Sequence, residues 1–194
     1  MLFITDEVMT GFGRTGTLFA SEQANISPDI LCLAKGLTGG SIPLAATLCN
    51  ETIYAAHLSD DRARTFFHSS SYTANPIACA AAAANLEIWR TEPVIERVAA
   101  VAAAQKRCLQ GLLGDQHFTN VRQIGTITAV ELAGGAGGYL DNVALALRSK
   151  LLTRGVLLRP LGNTVYVMPP YCATGEELKS VYQNLAEAVD EVST

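Results

Sequence analysis

The chain opens on an unbroken apolar run, Leu2-Phe3-Ile4, that ends in Thr5-Asp6. Without polar alternation, such a run predicts a strand over residues 2–5 buried on both faces. Glycines crowd the stretch from Gly11 to Gly16, and a second short apolar run, Asp29 to Ala34, predicts a strand that delivers Lys35 at its end. Gly36, Gly39, Gly40 and Pro43 interrupt the pattern before Leu44 to Cys49 resumes it as a third strand. Asn75-Pro76 marks a helix start, since the N–H that proline lacks is not needed in a first turn. That helix is predicted to run to about Arg90, with the alanine-rich stretch Ala78 to Ala84 tightly packed. Pro93 opens another helix ending near Gly111, with Val94, Val98, Val101 and Leu109 among its apolar positions.

From Phe118 the pattern changes. Asn120 to Leu132 predicts one or two strands, and Asn142 to Arg154 a helix stopped by Gly155. Val156 to Arg159 is expected as a strand forming a hairpin with Thr164 to Met168. Thr174 to Val192 is expected as a last helix, with Thr174 and Glu177 forming a capping box. Gly134 to Gly138 is expected as a flexible loop. The change of pattern places a boundary near residue 92: residues 1–92 resemble a piece of an α/β sheet, and residues 93–194 a small α+β domain. A chain that starts in mid-sheet is also expected to be truncated.

Composition narrows the function classes. With 194 residues, 49% apolar and 16% charged, the chain can bury a core and is not of the disordered class. A net charge of −4 argues against nucleic-acid or anionic-membrane partners. No run of eighteen apolar residues occurs, so no membrane-spanning helix is expected, and the first residues lack the basic start of a signal peptide. Five scattered cysteines without a C-x-x-C pair predict reduced, mostly buried thiols in a cytoplasmic protein. His57, His68 and His117 lack metal-ligand spacing, and no metal is predicted.

Three groups are candidates for chemistry. Gly11-x-Gly13-x-x-Gly16 formally fits a dinucleotide-binding fingerprint, but Arg14 and Thr15 lie inside it and a turn rather than a helix follows. Lys35, between Ala34 and Gly36 at a strand end, is either a lysine whose amine extends into solvent or a desolvated, nucleophilic Schiff-base lysine. Asp6, at the end of the first strand, either caps the following turn or serves a ligand at the strand termini, where α/β sheets place their sites. A carboxylate and an amine at two such ends suit a cofactor with a basic ring nitrogen and an aldehyde, and pyridoxal phosphate has both.

The block Thr5-Asp6-Glu7-Val8-x-x-Gly11-x-Gly13-Arg14-x-Gly16, followed by Pro28-Asp29-Ile30 and Ala34-Lys35-Gly36-Leu37 with Gly39-Gly40, resembles the signature of class-III aminotransferases. Asn75-Pro76 with its alanine-rich helix fits the same family. The resemblance implies part of the large domain of aspartate-aminotransferase-like, pyridoxal-phosphate-dependent transferases over residues 1–92, then their small C-terminal domain. It implies that Lys35 holds the cofactor covalently and moves the substrate proton, that Asp6 pairs with the pyridinium nitrogen, and that Val8 packs on the ring. Ser70 and Ser71, in His68-Ser69-Ser70-Ser71-Tyr72, match a phosphate contact made to the other subunit of a homodimer, at a position where the family commonly has Thr for Ser71. A plain loop is the alternative for that serine run.

Leu158-Arg159-Pro160-Leu161-Gly162 and Tyr166-x-Met168-Pro169-Pro170-Tyr171 are similar to the carboxylate-binding segment of the members that act on 8-amino-7-oxononanoate in biotin biosynthesis. This implies Arg159 and Tyr166 as substrate-binding residues and S-adenosylmethionine as the usual amino donor. The rivals are a class-III transaminase for ω-amino acids, diamines or amino ketones, and a noncatalytic fragment or half of a split enzyme. Family members are about twice this length. Their N-terminal half supplies the phosphate cradle and the stacking aromatic, so the chain is expected to be inactive alone.

Overall fold

The computed structural model describes residues 1–68, 70–133 and 143–193. Ser69, the expected Gly134–Gly138 loop and the expected helix start at Asn142 lie outside the described residues. The chain divides into two compact units, Met1–Val94 and Ile95–Thr194.

In the first unit, three strands, β1 (Ile4–Asp6), β2 (Ile30–Leu33) and β3 (Ala46–Cys49), form a sheet in the order β1-β2-β3. β1 and β2 are parallel, with Asp6 opposite Cys32, and β3 returns antiparallel to β2. The parallel pair puts the ends of β1 and β2 on one edge of the sheet, so Asp6 and the residues after Leu33 emerge side by side. Between them lie a series of turns and α1 (Ala20–Gln23), a single turn of helix. The glycine-rich stretch is therefore turn, and the helix that a dinucleotide fingerprint requires is not there.

Strand β1 departs from expectation. Leu2, Phe3 and Ile4 are exposed, Ile4 to 58%, whereas a buried strand was predicted. β1 stands at the edge of its sheet with β2 as its one neighbour among the described residues, so its apolar side chains find nothing to pack against.

After β3 come α2 (Glu51–His57), which Asn50 caps by accepting the Ile53 N–H at 3.0 Å, and α3 (Pro76–Thr91). The start of α3 follows the sequence expectation: Pro76 occupies the first turn and the Asn75 side chain accepts the N–H groups of Ile77 and Ala78. The alanine stretch is less packed than predicted. Ala78 and Ala82 are buried while Ala80, Ala83 and Ala84 are exposed, because only one face of α3 meets the rest of the unit. The core of this unit gathers Phe12, Leu33, Leu37 and Ala82, with Phe19 and Trp89 at its margin.

The second unit holds α4 (Val94–Gln110) after its first residue, β4 (Phe118–Ile124), β5 (Ile127–Leu132), α5 (Val143–Thr153), β6 (Thr164–Val167) and α6 (Gly175–Ser193). The strands form an antiparallel sheet in the order β4-β5-β6. Residues 156–159 form no strand, and the expected hairpin is absent: β6 pairs with β5, Thr164 opposite Glu131 and Val167 opposite Thr128. Leu147, Leu151, Val165, Leu185 and Val189 build the core over that sheet. The Thr174 capping box forms as predicted, with the Thr174 N–H donating to Glu177 Oε2 at 2.7 Å and the Glu177 N–H to Thr174 Oγ1 at 3.2 Å.

All five cysteines are free thiols, but Cys49, Cys79 and Cys172 are exposed and only Cys32 and Cys108 are half-buried. The expectation of mostly buried thiols is corrected: Cys79 falls on the outward face of α3, and Cys49 ends β3. No described helix is long and apolar enough to cross a membrane.

Candidate active site

Strand β2 ends at Leu33, and the backbone then turns sharply. Ala34 is extended, but Lys35 adopts φ +41°, the left-handed region that a residue with a Cβ rarely enters. Lys35–Thr38 is a 3-10 turn, closed by Leu37 N–H to Ala34 O (3.0 Å), Gly39 N–H to Gly36 O (3.1 Å) and Gly40 N–H to Lys35 O (3.0 Å). A strained backbone persists only where its surroundings over-determine it, and it points to function.

The surroundings here are specific. Phe12, itself at φ +58°, lies beneath the turn, with the Phe19 and Trp89 rings edge-on to it at 6.0 and 5.9 Å. From α3, the Asn85 amide donates to the carbonyls of Gly36 (2.8 Å) and Leu37 (3.1 Å). Thr38 is buried, and its hydroxyl closes the following loop onto Ile42 O at 2.7 Å.

The Lys35 side chain is exposed and makes no ion pair among the described residues. It lines an open cleft of about 950 Å³, shared with Val8, Thr38, His68, Ser70 and Tyr72. The structure thus gathers Lys35, Val8 and Ser70 in one cleft, whereas Ser71 and Asp6 are not among its walls. Asp6 emerges on the same sheet edge, one strand over, with Oδ1 accepting the Val8 N–H at 3.0 Å. The turn-capping role is therefore real, and it also fixes where Val8 stands. The Ser70 N–H and hydroxyl both meet Thr73 Oγ1, at 3.1 and 3.2 Å, and the Thr73 N–H returns to Ser70 O, so residues 70–73 form a structured turn before α3.

Arg159 and Tyr166 belong to the second unit. Arg159 is exposed in the segment between α5 and β6 and makes no ion pair among the described residues. Tyr166 lies on β6 opposite Ala129, half-buried, between Val165 and Val167, which face the core.

Two residues near the lysine carry more than the sequence suggested. Glu7 is 2% exposed, and its carboxylate receives the N–H groups of Ala20 (3.1 Å) and Ser21 (2.8 Å) and the Thr10 hydroxyl. Burial pushes the Glu7 carboxyl up, but these hydrogen bonds and the Ser21 hydroxyl outweigh it and hold the group below its ordinary range. Glu7 thereby pins α1 under the sheet edge where Asp6 stands. Asn85 is the other, reaching the lysine turn from 49 and 48 residues away in sequence. Its polar side chain within an alanine-rich helix was the one available hint.

Comparison with known proteins adds an independent line. The family model for aminotransferase class-III matches residues 1–189. The adenosylmethionine-8-amino-7-oxononanoate aminotransferase of Synechococcus elongatus is 47% identical over 194 residues, covering 98% of this chain and 45% of that protein. The crystal structure of the enzyme of that name from Methanocaldococcus jannaschii superimposes with a TM-score of 0.92 at 37% identity, over 98% of this chain and 46% of the other. A thermostable (S)-enantioselective omega-transaminase from Thermomicrobium roseum gives a TM-score of 0.91 at 32% identity, over 100% of this chain and 44% of the other. The chain thus spans about half the length of the relatives it matches.

Proposed function

Because the chain belongs to the class-III aminotransferase family, we propose that it is the lysine-bearing part of an enzyme that transfers an amino group from S-adenosylmethionine to 8-amino-7-oxononanoate, with pyridoxal phosphate as cofactor. The observation that carries the proposal is Lys35: a lysine in a left-handed backbone conformation, opening onto a cleft, at the C-terminal end of a strand parallel and adjacent to one that ends in Asp6. The likeness in sequence to adenosylmethionine-8-amino-7-oxononanoate aminotransferases supports the choice of acceptor.

The residues present suit pyridoxal phosphate. An amine for its aldehyde and a carboxylate on the same sheet edge for its ring nitrogen are supplied by Lys35 and Asp6, and Ser70 and Ser71 offer hydroxyl groups for the phosphate of the partner subunit's cofactor. The bound cofactor supplies an electron sink that lowers the barrier to removing the α-proton of an amine. Lys35 provides the nucleophilic nitrogen that holds the cofactor and later carries that proton between carbons. Asp6, anchored by the Val8 N–H, stabilises a protonated ring nitrogen, and Val8 offers an apolar surface to one ring face. Ser70 and Ser71 donate hydroxyl hydrogens to phosphate oxygens, in the other subunit of a homodimer. Arg159 clamps the acceptor carboxylate with two parallel N–H donors, and Tyr166 lines the acceptor pocket.

In this proposal residues 1–92 are part of the cofactor-binding large domain and residues 93–194 the small C-terminal domain. An N-terminal half completes the site, and the 194-residue chain is inactive without it. The free thiols of all five cysteines fit a reducing, cytoplasmic setting. The likeness to the T. roseum omega-transaminase keeps a second reading in play, in which the acceptor is a different ketone or aldehyde. Steady-state assays of a complete protein carrying this chain separate the two. Turnover of 8-amino-7-oxononanoate with S-adenosylmethionine supports the proposal. Turnover confined to ω-amino acids or simple amines replaces it with the second reading.

A further inference from the structure

We propose that Asn85 is a positioning residue for Lys35, holding the lysine turn in its strained form from the neighbouring helix. This rests on the reading of Lys35 as the cofactor lysine.

A residue with a Cβ at φ +41° costs free energy of its own, and the turn would relax toward ordinary angles if nothing opposed it. The turn's own backbone bonds involve Ala34, Lys35 and Gly36 carbonyls and are available to a relaxed turn as well. What fixes the turn relative to the rest of the unit is different in kind. The Asn85 side-chain N–H₂ group donates both its hydrogens to consecutive carbonyls, Gly36 O at 2.8 Å and Leu37 O at 3.1 Å. The relative direction of those two carbonyls is set by the Leu37 backbone angles, so the amide holds the turn just after Lys35 and fixes its place against α3. Space for the amide is left by Gly39, on whose backbone a Cβ would lie 3.1 Å from Asn85 Oδ1. α3 is a firm base for it, capped at Asn75 and buried on the Ala78 and Ala82 side. Helix propensity does not explain the residue, since Asn is a poorer helix former than the alanines around it.

The test uses a complete protein carrying this chain, and three variants of it. Asn85→Asp keeps the shape and removes the donor, Asn85→Ala removes the side chain while favouring the helix, and Asn85→Gln keeps the amide. Each is treated with pyridoxal phosphate and borohydride, and label on Lys35 is measured relative to Lys106, Lys150 and Lys179 in the same digest. Melting temperature is followed in parallel. The expected result is a fall of about tenfold in the Lys35 ratio for Asn85→Asp and Asn85→Ala, on the scale of the strain released, and recovery in Asn85→Gln. An unchanged ratio in Asn85→Asp overturns the inference. So does an equal fall in all three variants that tracks the loss of melting temperature, which is the behaviour of a residue that only stabilises the fold. If wild type shows no preference for Lys35, the reading of the lysine itself fails, and the variants then have nothing to position.

Discussion

Phe12 occupies the space that a side chain on Gly36 would need. An ideal Cβ on Gly36 would lie 2.6 Å from Phe12 Cβ and 2.7 Å from Phe12 Cδ2. Glycine is therefore required immediately after Lys35 by contact with a buried ring, held edge-on by Phe19 and Trp89. The atom in the way is Cβ, close to the backbone, so the ring cannot swing aside cheaply. Gly36→Ala is expected to destabilise the chain by about 1–3 kcal/mol, the usual cost of overpacking, and urea unfolding measures it. The mirror change, Phe12→Ala, keeps that Cβ and so is not expected to rescue Gly36→Ala, and it removes the ring that packs with Leu37 and Ala82 in the core.

Glu7 gives the chain an acid-sensitive joint. Although burial opposes ionisation, the hydrogen bonds from Thr10, the Ser21 and Ala20 amides and the Ser21 hydroxyl hold its carboxyl below the ordinary value of 4.5. A folded-state value lower than the unfolded one means that the stabilisation is fully present above pH 4.5 and is lost as pH falls through the lowered value. Glu7→Gln is expected to cost about 1–2 kcal/mol at pH 7, the range for losing a charged acceptor of helix-start amides. The difference from wild type shrinks as pH drops below 4.5. Urea titrations at pH 7 and pH 3 check both statements.

Local chemistry made much of this fold legible in the sequence. The apolar run ending at Lys35, the Asn75-Pro76 start of α3 and the Thr174–Glu177 box each depend on residues within a few positions of one another. The errors lie where distant partners decide. Val156 to Arg159 has a strand-like pattern but forms no strand, and β6 pairs with β5, more than thirty residues earlier in the chain, rather than with its near neighbour. Leu2 to Ile4 has the pattern of a buried strand, but nothing among the described residues covers it. α2 escaped notice because Glu51–His57 buries no residue and so leaves no apolar period. At the site, the lysine and its neighbouring carboxylate could be named from strand ends, whereas Glu7 and Asn85 could not. Apart from Thr10, their partners lie 13 to 49 residues away, and a polar residue shows in sequence that it needs a partner without showing which.

Arg159 is expected to govern the acceptor and leave the cofactor alone. It stands in the second unit, exposed and without an ion pair among the described residues. In a complete protein carrying this chain, Arg159→Ala is expected to weaken the carboxylate-bearing acceptor by about 1.5–3 kcal/mol, the range for a hydrogen bond to a charged group. The cofactor absorption spectrum stays unchanged. Acceptor titration and the spectrum together check it, and loss of cofactor in this variant would count against the assignment.

Lys35 is the centre of the proposed site, and the point where pyridoxal phosphate attaches tests it most directly. A complete protein carrying this chain is mixed with the cofactor, reduced with borohydride, digested and mapped by mass spectrometry. The prediction is label concentrated on the peptide containing Ala34-Lys35-Gly36, with little on Lys106, Lys150 and Lys179, and loss of that label in Lys35→Ala. Label spread evenly over all these lysines, or unaltered in total by Lys35→Ala, would contradict the assignment of the site.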